Sequence, residues 1–250
     1  MGLTVASRLN IPETTGDSLT TATAEQAIQK AAEIMDIPLP GATVAIVGAT
    51  GAIGAVCCQL LAPQVSQIIL IGRRQEKLDQ VAQLVRQAGC QQVIATSQIN
   101  DLTQAHLIIT VTSAVDAEIE PHHLRQGAVV CDVARPRDVS RQVAAQRPDV
   151  LVIEGGMVEA PGPVEFNFNF GFPPKMAYAC MAETMALALE QRYESFTLGK
   201  DIQLSQVQTI DKIAVRHGFK LGGFRSFEKA ITDTEIAHIK KHNQTLPMSL

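Results

Sequence analysis

Apolar and polar positions follow two rhythms along this chain, and the rhythm changes near Gly155. Before that point short runs rich in Val, Ile and Ala recur at Thr43–Val47, Gln67–Ile71, Gln92–Thr96, His106–Val111, Ala128–Asp132 and Val150–Ile153. Runs with almost no polar interruption read as strands buried on both faces. A helical stretch from Ala52 to Leu61 separates the first two, and Leu78, Val81, Ala82 and Val85 mark one face of a helix after the second. Strand and helix in alternation predict a doubly wound parallel sheet, a Rossmann-like α/β fold with a helical C-terminal attachment.

The flanks are less regular. Residues 1–18 read as a loop, followed by a helix with Thr23 and Gln26 at capping-box spacing, Ala24, Ala27, Ile28, Ala31 and Met35 on one face, and Pro38 and Pro40 at its end. The Gly- and Pro-rich stretch from Gly155 to Gly171 carries Phe166, Phe168 and Phe170 at alternate positions, which read as the lining of an apolar tunnel or as a small core, the core being the expectation. Pro173 and Pro174 stand where a helix over Ala177–Arg192 would begin. Ser205 and Gln208 offer a second capping box, Val207, Ile210 and Ala214 share a face, and Gly218 stands ready to end that helix. An amphipathic helix over Thr232–His242 comes last. Three segments result: 1–37 as loop and helix, 38–157 as the nucleotide-binding domain, and 158–250 as a mainly helical region.

Composition narrows the classes. With 46% hydrophobic and 18% charged residues the chain can fill a large core. A net charge of −4, 4% aromatics and no Trp argue against nucleic acid. Five cysteines without a CxxC give neither a disulfide framework nor a metal-ligand pattern, so a reducing, cytoplasmic setting and no metal are expected. No signal peptide and no apolar run of about 18 residues is visible, and no integral membrane association is expected.

The chemistry begins after the first strand, in VGATGAIG. Gly48, Thr50, Gly51, Ala52, Ile53 and Gly54 make a tight turn that opens a helix, which brings backbone amides and a helix N-terminus to a pyrophosphate. The second strand ends at Arg73 and Arg74, where an NAD site carries an acidic residue; two guanidinium groups suit the 2′-phosphate of NADP(H) instead. Thr112 and Ser113 after the fourth strand, and Asp132 after the fifth, lie on the same edge and border the cofactor. For Asp132, pairing with Arg135 or Arg137 is an equal alternative. Cys180, in YACMAETMALAL, reads either as a buried small hydrophobe or as a nucleophile, two turns after Pro173 and so with weak help from the helix N-terminus. Glu183 and His217 are candidate proton-transfer partners for it.

Several segments in one order resemble the cyanobacterial long-chain acyl-[acyl-carrier-protein] reductase family. They are TTGDS (Thr14 to Ser18), VAIVGATGAIGAVC (Val44 to Cys57), GGMVE (Gly155 to Glu159), AYACMAET (Ala177 to Thr184) and VRHGF (Val215 to Phe219). DVARPRDV departs from that family and is similar to a segment of glutamyl-tRNA reductases. The resemblance implies NADPH-dependent reduction of a fatty-acyl thioester, delivered by acyl carrier protein or coenzyme A, to a fatty aldehyde. Cys180 then matches the acyl-accepting cysteine. The family carries a sizeable region before its TTGDS-like segment, and this sequence begins almost there. Two other readings stay open. One is a shikimate- or amino-acid-dehydrogenase-like reduction of a small carbonyl compound with Cys180 structural; the other is a non-catalytic NADP(H)-binding module. Homodimerisation is compatible with each.

Overall fold

The computed structural model describes residues 2–112, 118–168, 171–199 and 201–245. In chain order the elements are α1 (Gly2–Ala6), α2 (Asp17–Ile34), β1 (Thr43–Val47), α3 (Ala52–Leu61), β2 (Gln67–Ile71), α4 (Gln75–Gln87), β3 (Gln92–Thr96), β4 (Leu107–Thr110), β5 (Val129–Asp132), α5 (Arg141–Gln146), β6 (Leu151–Glu154), β7 (Met157–Glu159), β8 (Met176–Tyr178), α6 (Ala179–Leu189), α7 (Leu204–Arg216), β9 (Lys220–Leu221), β10 (Arg225–Ser226), β11 (Lys229–Ala230) and α8 (Asp233–Thr245). Spatial contacts group residues 1–26 with 155–223 in one compact unit and 27–154 with 224–250 in the other. The grouping interleaves the three consecutive segments read from the sequence.

The larger unit is built on a six-stranded sheet in the order β3-β2-β1-β4-β5-β6, parallel throughout. This is the Rossmann order, with its switch point between β1 and β4. Side chains alternate across a strand. Ala45, Val47, Ile69, Ile71, Ile108, Val130 and Val152 therefore enter one apolar cluster with Leu102, Ile119 and Val143. Val44, Ile46, Ile68, Leu70, Leu107 and Ile109 between them are buried as well. Both faces are dry, which is why the strands read as near-continuous apolar runs. On α4 the predicted stripe of Leu78, Val81, Ala82 and Val85 is buried. The hairpin of β10 and β11 is tied to the end of β6 by Glu154, which accepts from the Glu228 N–H at 2.6 Å and from Arg137 Nη2 at 2.8 Å.

The smaller unit contains an antiparallel sheet in the order β8-β7-β9, with Val158 opposite both Ala177 and Leu221. The sequence pattern predicts loops and helices here, with no strand. Residues 176–178 pair with β7, and the Ala179 N–H donates to the Gly156 carbonyl at 2.8 Å, so α6 starts at Ala179 and not near the two prolines. α2 likewise starts at Asp17, well before Thr23. Thr21 and Thr23 are not caps; their hydroxyls donate back to the Asp17 and Leu19 carbonyls at 2.7 and 2.9 Å. The α7 cap is also displaced from Ser205: the Gln203 N–H donates to Gln206 Oε1 at 3.1 Å. Gly218 ends α7 as expected, at φ +86°. Phe168 is 69% exposed, Phe166 and Phe172 border a cavity of about 360 Å³, and Phe170 lies outside the described residues.

Candidate active site

The nucleotide turn is assembled in the larger unit at the carboxyl end of β1. The Gly48 and Ala49 N–H groups donate to the Ile71 carbonyl at 3.0 and 3.1 Å, which ties the start of the turn to β2. α3 then begins behind Gly51, without a side-chain cap. The first amides of the helix, at Ala52, Ile53 and Gly54, thus face outward as donors for an anion. Gly54 is required by a close approach: a Cβ there would stand 2.4 Å from the Gly48 carbonyl oxygen. Thr50 is half-buried beside Gly72, at the exit of β2. Arg73 and Arg74 follow directly, both exposed, with Arg74 at the N-cap of α4. A bare helix start next to two exposed guanidinium groups fits the pyrophosphate and 2′-phosphate of NADP(H).

The far side of this edge is held by two carboxylates. Asp132 is 1% exposed and accepts the N–H of Ala134 at 3.0 Å and those of Asp138 and Val139 at 3.1 Å. Its oxygens are thereby engaged by the loop backbone; the Arg135 charge also favours its ionised form, and Arg137 pairs with Glu154. Burial raises its pKa to about 6, against the pull of those amides. Asp138, which no sequence signal marks, accepts the Thr112 N–H at 3.1 Å and the Thr112 hydroxyl at 2.8 Å. Ser113 lies outside the described residues.

Cys180 occupies the smaller unit. The other four cysteines are buried, and Cys180 alone is exposed. Because α6 starts at Ala179, Cys180 is on its first turn rather than two turns in. The backbone amides of Cys180 and Met181 favour a thiolate, but desolvation outweighs them and Asp17 and Glu183 add negative charge nearby. The net effect holds the thiol above its ordinary pKa. The wall beside it comes from the TTGDS segment. Gly16 lies so close that a Cβ there would stand 2.2 Å from the Cys180 Cα.

The two proposed partners of Cys180 separate. Glu183, fully buried, accepts the Leu19 N–H at 2.7 Å and the Thr14 hydroxyl, and burial raises its pKa. His217 is not brought to Cys180. It caps α7 and its Nε2 bonds Glu190 Oε2 at 2.7 Å, at the far end of α6, about 15 Å along the helix from Cys180. Thr14, Gly16 and Asp17 were legible only as part of a motif; their place at Cys180 is a tertiary fact. Among the described residues no group of His, Cys, Asp and Glu has metal-binding geometry, and no helix is long and apolar enough to cross a membrane.

Comparison with known proteins adds relatives to this geometry. Over 246 residues the chain is 32% identical to the aminotransferase PigE of Serratia sp., covering 96% of this chain and 29% of that protein. Over 215 residues it is 31% identical to the long-chain acyl-[acyl-carrier-protein] reductase of Synechococcus elongatus, covering 83% of this chain and 61% of that enzyme. The chain thus spans less than two thirds of either relative. Among solved structures, glutamyl-tRNA reductase of Methanopyrus kandleri is similar at 16% identity and a TM-score of 0.42, over 90% of this chain and 43% of that one. The family model for shikimate/quinate 5-dehydrogenase matches residues 29–154, the segment that contains β1 to β6 and the glycine turn. Matched by that model over half its length, the chain belongs to the shikimate/quinate 5-dehydrogenase family.

Proposed function

We propose that this protein is an NADPH-dependent reductase of fatty-acyl thioesters, with Cys180 as the acyl acceptor and a fatty aldehyde as product. One observation carries the reading. The single exposed cysteine stands on the first turn of α6, inside the AYACMAET segment that resembles the acyl-carrier-protein reductases. The similarity to the Synechococcus elongatus enzyme across 83% of the chain supports it.

The Cys180 sulfur attacks the carbonyl carbon of the thioester. As the carbonyl–sulfur bond to the carrier breaks, the departing carrier thiolate takes up the proton given up by Cys180, and the acyl group remains on Sγ. The Cys180 and Met181 amides stabilise negative charge on that sulfur as it attacks and again as it leaves. NADPH held at the glycine turn would supply the hydride that takes the acyl carbon to the aldehyde oxidation level. Gly48 to Gly54 would hold its pyrophosphate, and Arg73 and Arg74 its 2′-phosphate. Acyl carrier protein or coenzyme A is the acyl donor.

The family match favours a second reading, reduction of a small carbonyl compound. It covers the nucleotide-binding segment and stops short of Cys180, so it speaks to the cofactor more than to the substrate. One experiment separates the two. Intact-protein mass is measured after incubation with a long-chain acyl thioester without NADPH, for wild type and Cys180→Ser. An acyl-sized increase lost in the variant supports the acyl-enzyme. No adduct, together with carbonyl reduction that survives Cys180→Ser, overturns it in favour of the small-carbonyl reading.

A further inference from the structure

One buried carboxylate ties together the two loops that leave the sheet beside its switch point. Asp138, 4% exposed, follows β5 in the chain but reaches across to the residues leaving β4. It accepts the Thr110 hydroxyl, the Thr112 N–H at 3.1 Å and the Thr112 hydroxyl at 2.8 Å, using both of its oxygens. Its own position is set by Asp132, which accepts the Asp138 and Val139 amides at 3.1 Å. Thr112 in turn lies against the nucleotide turn: a Cβ on Gly48 would stand 3.3 Å from the Thr112 methyl carbon and 3.1 Å from the Val111 carbonyl oxygen. A continuous series of contacts therefore runs from the β5 exit through the β4 exit to the first glycine.

Burying a carboxylate is expensive unless its oxygens are hydrogen-bonded, and bonds to an ionised acceptor are about twice as strong as neutral ones. A carboxylate is a stiff tie. Its other end is a threonine on the ligand edge of the sheet. A dinucleotide laid across a switch point places its adenosine half beyond β1 and β2, where Arg73 stands, and its second half beyond β4 and β5. Thr112, at the exit of β4, stands on the side of the second half.

We propose that Asp138 is a positioning residue for the nicotinamide half of the cofactor site, acting through Thr112; this rests on the NADP(H) reading above. The two exit loops are held in register by the Asp138 carboxylate, so loosening that tie disturbs the redox end of the site and spares the adenosine end.

Affinities of the full chain for NADPH and for adenosine 2′,5′-bisphosphate, which carries only the adenosine half, provide the test. Wild type is compared with Asp138→Ala and with Thr112→Val, which keeps the shape of threonine and removes the hydroxyl. Both variants are expected to bind NADPH about tenfold or more weakly, with affinity for the bisphosphate unchanged within about twofold. Parallel loss of both ligands, or no loss of either, overturns the proposal. Should Asp138→Ala fail to fold, Thr112→Val decides by the same criterion. A wild type that binds neither ligand would sink the cofactor reading itself, an outcome distinct from variants that lose both ligands alike.

Discussion

The Glu183 carboxylate on α6 accepts the backbone N–H of Leu19 on α2 at 2.7 Å, across 164 positions of the chain. A residue of one helix thereby serves as the N-terminal cap of another. The same carboxylate takes the Thr14 hydroxyl, so the segment from Thr14 to Leu19 is strapped over the start of α6. Under that strap Gly16 meets Cys180 with no room for a Cβ. The candidate nucleophile is thus walled by a segment that Glu183 holds in place.

Removing Glu183 should therefore cost more than a surface change. Glu183→Ala leaves the buried Leu19 amide without its acceptor, and a buried group left unpaired costs about 1–3 kcal/mol. Urea unfolding of the variant should show a loss in or above that range. A loss within experimental error would mean that the strap does not depend on this contact.

Gly16→Ala tests the wall directly. The new methyl would meet the Cys180 backbone, and φ +77° at residue 16 disfavours any L side chain. Lower thermal stability and slower modification of Cys180 by iodoacetamide are expected together. A variant as stable and as reactive as wild type would contradict the close approach.

Reactivity of Cys180 should carry the sign of its neighbours. Burial, with Asp17 and Glu183 adding to it, raises the thiol pKa, so the alkylation rate of wild type should rise with a midpoint above the ordinary cysteine value of about 8.5. Asp17→Asn removes one negative neighbour and should move that midpoint down. An unchanged or higher midpoint would rule out Asp17 as a contributor.

Asp132 makes a stability prediction with a defined window. Its folded pKa is raised to about 6, above the unfolded value, so the folded state holds this proton more tightly. The stabilisation is complete below about pH 4 and is lost as pH rises through about 6, amounting to about 3 kcal/mol. The difference in unfolding free energy between wild type and Asp132→Asn should therefore change in favour of the variant between pH 4 and pH 7. A constant difference across that window would show that the carboxylate does not titrate there.

Cofactor choice should rest on the end of β2. Arg73→Ala is expected to weaken NADPH binding by about tenfold or more and NADH binding within about twofold, since only NADPH carries the 2′-phosphate. Equal effects on both would remove the arginine from the phosphate site.

What was legible in the sequence is what neighbouring residues decide. Ile68 to Ile71 and Val44 to Val47 read as strands because both faces of the sheet are dry, and Gly48, Gly51 and Gly54 read as a turn because their spacing bends the chain between strand and helix. The Leu78 stripe marked α4 for the same local reason. The errors lie where a partner comes from far along the chain. Thr23 looked like a cap because no local signal reveals that Glu183 caps α2 earlier, at Leu19. The helix after Pro173 begins later than its prolines suggest because residues 176–178 have a strand partner in β7.

The site divides along the same line. The alternation of strand and helix from β1 to β6, the bend of the glycine turn and the arginines after β2 are read from local residue types and periodicity, which carry their own physics. Only the tertiary structure decided that Cys180 is on the first turn of α6 beneath Gly16, that Glu183 is a strap and His217 a partner of Glu190, and that Asp138 holds Thr112. The physical reason is that burial and hydrogen-bond partners set the role of a polar side chain, and these come from segments that are distant in sequence.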